Sequence, residues 1–264
     1  MTTQREFQSV RYERVGAIAT VAINRPDARN SVTKAVALEI YDAVRMVAAD
    51  ATVRVLIFRG VGQDFCCGAD LKSSENQLEQ RKTRAPTFDI HSISILLHEM
   101  HAVTVAAIRG GCAGAGFGWA CACDLRLADA GARFNTAFLD VGVAGDMGVP
   151  WLLPRLIGAA RARDLSFLPR KLFAQQAFDI GLVTRVWPSE NFESELDALV
   201  SRLAAAAPQA IAMLKSNYVE AERLDFKSFI LLEAERHNRL LQTDDCSEAF
   251  AAWLQKRPGN FTGR

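Results

Sequence analysis

The segment of this chain that is best suited to bind a ligand through its backbone is a group of glycines in the middle of the sequence. The segment IRGGCAGAGFGWACACD follows an apolar run and contains five closely spaced glycines: Gly110, Gly111, Gly114, Gly116 and Gly118. Glycine and alanine keep side chains out of the way, so backbone N–H groups at the start of a helix can approach a ligand closely. The same composition also lets a helix pack tightly on a strand, and the spacing matches neither the dinucleotide nor the P-loop motif. This segment by itself leaves both interpretations open.

A second glycine-flanked turn, FCCGADL at residues 65–71, favours the ligand-binding interpretation. The run before it, Val53–Arg59, is short, apolar and β-branched, as expected of a strand that is covered on both faces. A similar apolar run precedes the central glycines at residues 103–108. Each turn is therefore predicted to follow a buried strand.

Further elements must position the two turns. Residues Ser9–Val15 and Ala17–Ile23 have the pattern of a β-hairpin. Ser31 is the predicted N-cap of a helix whose apolar residues recur at helical spacing up to residue 50. Short strands are predicted at 125–128 and 133–135. This alternation of strands and helices predicts an α/β fold rather than a helical bundle or a sandwich.

The composition of the chain changes from Pro208 onward. Three long helical patterns follow, at residues 209–223, 226–241 and 244–255. Because they carry many apolar residues, these helices must pack on the core or on another subunit. We therefore expect an α/β core at residues 1–200 and a helical oligomerisation region at residues 201–264.

Composition also narrows the possible partners and locations. A formal net charge of +1 gives no electrostatic reason to expect nucleic acid or a membrane surface as a partner. The charged N-terminus and the lack of a bilayer-spanning apolar stretch predict a cytoplasmic location. The six cysteines lie mostly in apolar runs without zinc-ligand spacing, which predicts reduced, buried thiols and no metal site. The charged segment 72–87 is predicted to be a mobile surface segment beside a binding cleft.

Four segments in order identify a resemblance: NRPDARNS, FCCGADLK, GGCAGAGFGWACACD and EAFAAWLQKRPGNFTGR. The chain resembles the enoyl-CoA hydratase/isomerase (crotonase) superfamily from about residue 10 to residue 264. The resemblance implies a spiral of ββα units with a C-terminal helical trimerisation region. It also implies a homotrimer or a dimer of trimers that binds acyl-CoA thioesters, with coenzyme A as part of the substrate and no separate cofactor.

The resemblance assigns a role to each of the two turns. Enzymes of this type stabilise a negatively charged thioester oxygen with two backbone N–H donors. By position these donors are the amides of Cys67 and Ala115, and Ala115 would also benefit from the dipole at a helix N-terminus. A reactive Cys67 thiol is the weaker alternative, because no neighbouring residue in the sequence would lower its pKa.

The coenzyme A contacts of the family fall on three parts of the chain. They are implied for the loop NRPDARNS, for the turn at residues 65–71 and for a basic residue near the C-terminus. The matching residues are Ala28, Arg29, Ser31, Ala69, Asp70, Leu71 and Lys256. For each basic residue, an ordinary solvated surface charge is the competing interpretation.

The acids of the standard hydratase mechanism are missing from this chain. Hydration uses two glutamates, one to activate water and one to move the proton. Gly118 and Phe138 stand at these two positions. Asp146 is the candidate replacement, because it matches an aspartate that is an acid/base in dienoyl-CoA isomerases and a nucleophile in chlorobenzoyl-CoA dehalogenases. Asp124 is expected to have a structural role near the central turn.

Three hypotheses for the function remain open at this point. The first is double-bond isomerisation or a related proton transfer by Asp146. The second is nucleophilic hydrolysis by Asp146 with His91, which stands where the dehalogenases have a histidine base, while Phe138 stands where they have a tryptophan. The third is an acyl-CoA-binding paralogue without catalysis. Asp146 could also act as a simple cap for a helix that begins near Met147.

Overall fold

The structure is a computed structural model that describes residues 2–71 and 88–264. The segment 72–87, which was predicted to be mobile, lies outside the described residues. The strands are β1 Thr2–Glu6, β2 Val10–Val15, β3 Ile18–Ile23, β4 Val55–Gly60, β5 Val103–Ile108, β6 Gly111–Ala113, β7 Leu125–Asp129, β8 Arg133–Asn135, β9 Leu172–Phe173 and β10 Arg185–Trp187.

Ten α-helices surround these strands in the described part of the chain. They are α1 Lys34–Ala49, α2 Phe88–Glu99, α3 Ala115–Ala122, α4 Val149–Ile157, α5 Ala159–Phe167, α6 Ala174–Asp179, α7 Phe192–Ala204, α8 Pro208–Ala221, α9 Phe226–Leu241 and α10 Asp244–Gln255. Short 3-10 turns lie at Pro26–Ala28 and Leu139–Val141. The predicted α/β fold is confirmed, and so are the two C-terminal helices at residues 226–241 and 244–255.

Two sheets organise the α/β part. The large sheet has the strand order β1-β2-β3-β4-β5-β7-β10, and β6-β8-β9 form a small second sheet. Strands β1, β2 and β3 pair antiparallel, which confirms the predicted hairpin of β2 and β3, whereas β3, β4, β5, β7 and β10 pair parallel. The carboxyl ends of the parallel strands therefore lie at one edge, where ligands bind in open α/β sheets.

The central strands of the large sheet, β4, β5 and β7, are buried on both faces. Side chains alternate along β4, so that Leu56 and Phe58 join the main hydrophobic core while Val55 and Ile57 join a second cluster. Helix α7 covers the second cluster with Phe192 and its apolar face. This two-sided burial explains why these strands are continuous apolar runs in the sequence.

The start of helix α1 differs from the prediction. Thr33, not Ser31, is the N-cap residue, and its side chain accepts a hydrogen bond from the amide of Val36 at 3.3 Å. The chain remains extended up to Thr33 because Val32 pairs with Ala69 in a parallel β-bridge. A tertiary contact that is distant in sequence therefore shifts the start of the helix by two residues.

Helices α8, α9 and α10 follow α7 at the C-terminal end of the chain. The proposed boundary between residues 200 and 201 falls inside α7, and the chain leaves that helix only at Ala205. Several apolar side chains of the following helices are exposed in the single chain, among them Phe226, Phe250 and Trp253. In residues 2–71 and 88–264, no helix combines the length and the apolar character that crossing a bilayer requires.

A buried ion pair fastens helix α8 to the parallel sheet. The Lys215 ammonium lies 2.8 Å from Asp124 Oδ2 and donates hydrogen bonds to the carbonyls of Leu97 and Ala102 at 3.0 and 2.9 Å. The same Asp124 oxygen accepts hydrogen bonds from the Thr104 amide and hydroxyl at 2.7 and 3.0 Å. Burial lowers the pKa of Lys215, and Asp124 opposes that shift. The expected structural role of Asp124 is confirmed.

Replacing Lys215 with methionine is expected to destabilise the protein by about 3 kcal/mol or more, because it leaves Asp124 and two carbonyl oxygens without their cation. Urea unfolding followed by circular dichroism measures the loss. The matched control is Lys171→Met, since Lys171 is exposed and its replacement should change stability by less than about 0.5 kcal/mol. Equal effects of the two substitutions would show that the Lys215 pair does not hold the helix.

Candidate active site

The loop before α1 packs against the turn at residues 65–71. Arg29 forms a two-pronged ion pair with Asp64, with N···O distances of 2.9 and 3.1 Å. Arg25 bonds Asp70 at 3.0 Å and also the Ser31 carbonyl at 2.6 Å. These contacts bring six of the seven predicted coenzyme A contacts into one loop cluster, whereas the seventh, Lys256, is exposed at the end of α10.

The two glycine-rich turns run side by side. Cys66 pairs with Cys112 in a parallel bridge, in which the Cys66 amide donates to Gly111 and the Cys66 carbonyl accepts from Ala113. Further along, Gly68 meets Gly114: a Cβ on Gly68 would lie 3.2 Å from the Ala113 carbonyl oxygen and 3.5 Å from the Gly114 Cα. Both glycines have positive φ, 91° and 53°. The close approach and the backbone angles together explain why both positions are glycine.

The amide of Cys67 does not face the central turn, which contradicts its predicted role as an oxyanion donor. In a trans peptide group the C=O and the N–H point in opposite directions. The Cys66 carbonyl points to the Ala113 amide at 2.9 Å, so the Cys67 N–H points away and donates to the Arg29 carbonyl at 3.3 Å. Nor is the Cys67 thiol activated, because burial, followed by the nearby Asp64 charge, raises its pKa to about 11.

The amide of Ala69 is the exposed donor of this turn. The Gly68 carbonyl accepts a hydrogen bond from the Val32 amide at 2.9 Å, so the N–H of Ala69, in the same peptide group, points away from Val32. Within the described part of the chain it donates to no backbone or side-chain acceptor. Ala69 is also exposed. Its peptide plane is therefore held in place while its N–H is available to a ligand.

Ala115, the second predicted donor, lies on the central turn opposite Ala69. It is the first residue of α3, and Gly114 is the N-cap. The Gly114 carbonyl accepts from the Gly118 amide at 3.1 Å, so the Ala115 N–H points out of the helix N-terminus. A helix N-terminus favours negative charge. Two fixed amides, at residues 69 and 115, thus follow directly after two glycines that touch each other.

Asp146 lies on the loop that packs over the first turn of α3. Its side chain accepts a hydrogen bond from the Met147 amide at 2.9 Å, and His91 Nε2 lies 3.8 Å from Asp146 Oδ1. Burial raises the pKa of Asp146, and the Met147 amide and His91 only partly oppose this. The carboxyl therefore accepts a proton more readily than an ordinary aspartate does.

The interpretation of Asp146 as a helix cap is wrong in its geometry. Helix α4 begins at Val149, and its N-cap is Gly148, which has no side chain to cap it. The Asp146 carboxylate accepts a hydrogen bond from the next residue instead. The sequence suggested a cap because aspartate precedes a helix here, but the positive φ of Met147 and Gly148 turns the chain before the helix starts.

Gly118 and Phe138, the positions predicted to lack the hydratase glutamates, are both packed against neighbouring residues. A Cβ on Gly118 would lie 2.5 Å from the Met147 Cβ and 3.2 Å from the Asp146 carbonyl oxygen. Phe138 is buried, and it lines an apolar cavity of about 370 Å³ together with residues of the 139–145 loop, α4 and α5. Gly118 has no space for a larger side chain, and Phe138 cannot act as the acid that hydration requires.

The cysteines have a structural placement. All six are free, and Cys66, Cys112, Cys121 and Cys123 are buried, whereas Cys67 and Cys246 are partly buried. Burial raises the pKa values of Cys66, Cys121 and Cys123 to about 12. Among the side chains that the structure describes, no three histidines, cysteines or carboxylates form a group able to hold a metal ion.

This fold and these paired turns define a class of enzyme, and comparison with known proteins identifies it. A family model for enoyl-CoA hydratase/isomerase matches residues 13–264. A crotonyl-CoA hydratase of Syntrophomonas wolfei is 30% identical to this chain, and the match covers 98% of this chain and 99% of the hydratase. A 1,2-epoxyphenylacetyl-CoA isomerase of Escherichia coli K12 is 28% identical to this chain, and the match covers 94% of this chain and 95% of that protein.

The solved structures agree with the sequence comparison. An enoyl-CoA hydratase from Bacillus anthracis superimposes with a TM-score of 0.88 at 26% identity, covering 97% of this chain and 100% of that one. The chain belongs to the enoyl-CoA hydratase/isomerase family, as its motifs indicated. It is an enzyme of that family.

Replacing Gly118 with alanine is expected to destabilise the protein by about 1–3 kcal/mol, because the added Cβ overlaps Met147. A double-mutant cycle with Met147→Gly tests this, since Met147 has a φ of 48° that glycine adopts readily. The double variant should lose less stability than the sum of the two single variants, as measured by urea unfolding. Strict additivity would show that the two residues do not collide.

The Asp146→Asn variant should be more stable than the wild type at pH 7. Folding raises the pKa of Asp146, so the ionised carboxylate costs stability, and this cost appears as the pH rises through the folded pKa. The two proteins should therefore converge when the pH falls below 3.8, the ordinary aspartate value. Urea unfolding from pH 3 to pH 8 measures the difference. A variant less stable at pH 7 would show that the ionised carboxylate stabilises the fold, which contradicts the prediction.

Proposed function

We propose that this enzyme is an acyl-CoA isomerase in which Asp146 moves a proton along the acyl chain. The observation that carries the proposal is the Asp146 carboxyl, with a raised pKa, on the loop that packs over the N-terminus of α3. The family assignment supports an acyl-CoA thioester as the substrate. A trans-2-decenoyl-[acyl-carrier-protein] isomerase of Streptococcus mutans, 29% identical to this chain, supports isomerisation as the reaction class.

The amides of Ala69 and Ala115 would bind the thioester oxygen. Removing a proton next to a thioester carbonyl places negative charge on that oxygen, and preorganised N–H donors stabilise the charge without reorganising. Both peptide planes are fixed by hydrogen bonds of the preceding carbonyls. This pair replaces the one predicted from sequence, because the N–H of Cys67 is turned toward Arg29.

One carboxylate is sufficient for the chemistry. In a 3-enoyl thioester, Asp146 takes a proton from C2 and leaves a dienolate with its charge on the thioester oxygen. The protonated Asp146 then returns this proton to C4, so the double bond moves to C2–C3 and the enzyme is regenerated. Hydration would need a second group to activate water, and Gly118 and Phe138 offer none.

Coenzyme A would bind along the loop cluster beside the turn at 65–71. We assign its contacts to Ala28, Arg29, Ser31, Asp70 and Leu71, which lie on segments joined by the Arg29–Asp64 and Arg25–Asp70 pairs. Arg29 is more than half exposed in spite of its pair with Asp64, so its guanidinium is open to a phosphate.

Oligomerisation would complete the assembly. The exposed apolar side chains of α9 and α10 include Phe226, Trp253 and Leu254, each at least 73% exposed. Surfaces of this kind mark protein–protein contacts. We assign them to the contacts of a homotrimer or a dimer of trimers, in which Lys256, at the end of α10, would lie near the coenzyme A of a neighbouring subunit.

Replacing Asp146 with asparagine tests the proton transfer. A 3-enoyl-CoA should be converted to the 2-enoyl-CoA by the wild type, and the variant should lose about 10²–10⁴-fold in kcat with little change in binding. Absorbance of the conjugated thioester follows the reaction, and calorimetry with a saturated acyl-CoA measures binding. Unaltered turnover in the variant would overturn the proposal, and so would hydration of 2-enoyl-CoA as the faster wild-type reaction.

Nucleophilic hydrolysis of an acyl- or aryl-CoA is the second candidate, because the structure brings His91 to 3.8 Å from Asp146. On an aryl-CoA, Asp146 would displace a halide from the ring carbon to form an aryl ester; on an acyl-CoA, it would displace the coenzyme A thiolate to form an anhydride. Water would then hydrolyse either intermediate, with His91 as the base. Single-turnover mass spectrometry with a 4-halobenzoyl-CoA separates the candidates. An aryl-enzyme that accumulates in His91→Gln supports the second candidate, whereas isomerisation that survives this substitution supports the first.

A further inference from the structure

Cys66 occupies the junction between the two turns. Its side chain is fully buried. Its own backbone makes both bonds of the bridge to β6, donating to the Gly111 carbonyl at 3.0 Å and accepting from the Ala113 amide at 2.9 Å. The residue is thus anchored on both sides before its side chain makes any contact.

The side chain of Cys66 lies between the two turns. The backbone amides of Gly68 and Gly116 act on its thiol as hydrogen-bond donors, which partly opposes the rise of its pKa on burial. The contact with the second turn is close: a Cβ on Gly116 would lie 2.5 Å from the Cys66 Cβ and 2.8 Å from its sulfur. Gly116 is therefore glycine because Cys66 fills the space beside it, and one atom connects two segments that are 48 positions apart in the sequence.

These two amides are adjacent to the proposed oxyanion donors. Gly68 precedes Ala69, and Gly116 follows Ala115. Both glycines are buried, so without the sulfur their N–H groups would have to find another acceptor or remain unpaired, which costs about 1–3 kcal/mol for each buried group. Either outcome rotates a peptide group directly next to Ala69 or Ala115.

We propose that Cys66 is a positioning residue that holds the Ala69 and Ala115 amides in their mutual orientation through the Gly68 and Gly116 amides. The inference rests on the proposed function, since it concerns the same thioester oxygen. The thiol itself takes no part in the chemistry, because it has no contact with solvent and burial raises its pKa to about 12.

The test compares alanine and serine at position 66. Serine retains an oxygen that can accept both N–H bonds, whereas alanine removes the acceptor. Cys66→Ala should lower kcat for the 3-enoyl-CoA by about 10-fold or more with KM nearly unchanged, because a misplaced donor weakens transition-state stabilisation selectively. Cys66→Ser should recover most of that loss. Cys121→Ala is the matched control, because Cys121 is equally buried, on α3 beyond its first turn.

A spectroscopic measurement reports the two amides directly. Butyryl-CoA labelled with carbon-13 at the thioester carbonyl should show a lower carbonyl stretching frequency when it is bound to the wild type, to Cys66→Ser and to Cys121→Ala. In Cys66→Ala this shift should be smaller. Loss of thermal stability without a change in kcat or in the carbonyl shift would overturn the inference, and so would equal impairment of the alanine and serine variants.

The two proposals fail in different ways. If the wild type shifts the carbonyl of bound butyryl-CoA but Cys66→Ala does so equally, the role of Cys66 is wrong and the oxyanion site stands. If bound butyryl-CoA shows no carbonyl shift even in the wild type, the amides of Ala69 and Ala115 do not bind the thioester oxygen, and the proposed function itself fails.

Discussion

The bridge between Cys66 and Cys112 is the interaction on which the candidate site depends. It places two turns, far apart in sequence, side by side in register, so that their glycines touch and their amides occupy defined directions. A trans peptide group has no freedom to point its N–H independently of its C=O. Fixing the carbonyls of Gly68 and Gly114 therefore fixes the N–H groups of the residues that follow, and no side chain is needed to form an anion site.

The proposed site combines an anion-binding backbone with acid/base chemistry that depends on Asp146. The amides do not depend on side-chain identity, whereas proton transfer depends on which carboxylate lies nearby. Met147 packs against Gly118, Phe138 is buried, and Asp146 is next to Met147 in a partly desolvated position. Desolvation makes its carboxylate a better base, at a cost in stability that the surrounding fold must supply.

The scaffold supplies this stability through contacts away from the reacting atoms. The parallel sheet is buried on both faces, and the Lys215–Asp124 pair ties α8 to the start of β5. Asp124 immediately follows the central glycine segment, so the ion pair also fixes the end of the chain segment that carries Ala115. Helix α8, which lies outside the α/β core, therefore helps to hold the segment that carries one proposed oxyanion donor.

The sequence by itself determined the fold class, the family and the two turns, because glycine spacing and apolar runs are local properties that leave a direct pattern. The absence of both hydratase acids is a prediction that comes from the family resemblance. The sequence also indicated Ala115, since a helix start is visible in it. The direction of an amide is different: Cys67 and Ala69 are both flanked by glycine-rich sequence, and only the bonds to Ala113 and Val32 show which N–H is available. The pairing of His91 with Asp146, the burial of Lys215 and the contact of Cys66 with both turns were likewise decided by tertiary structure, because each joins residues that are distant in sequence.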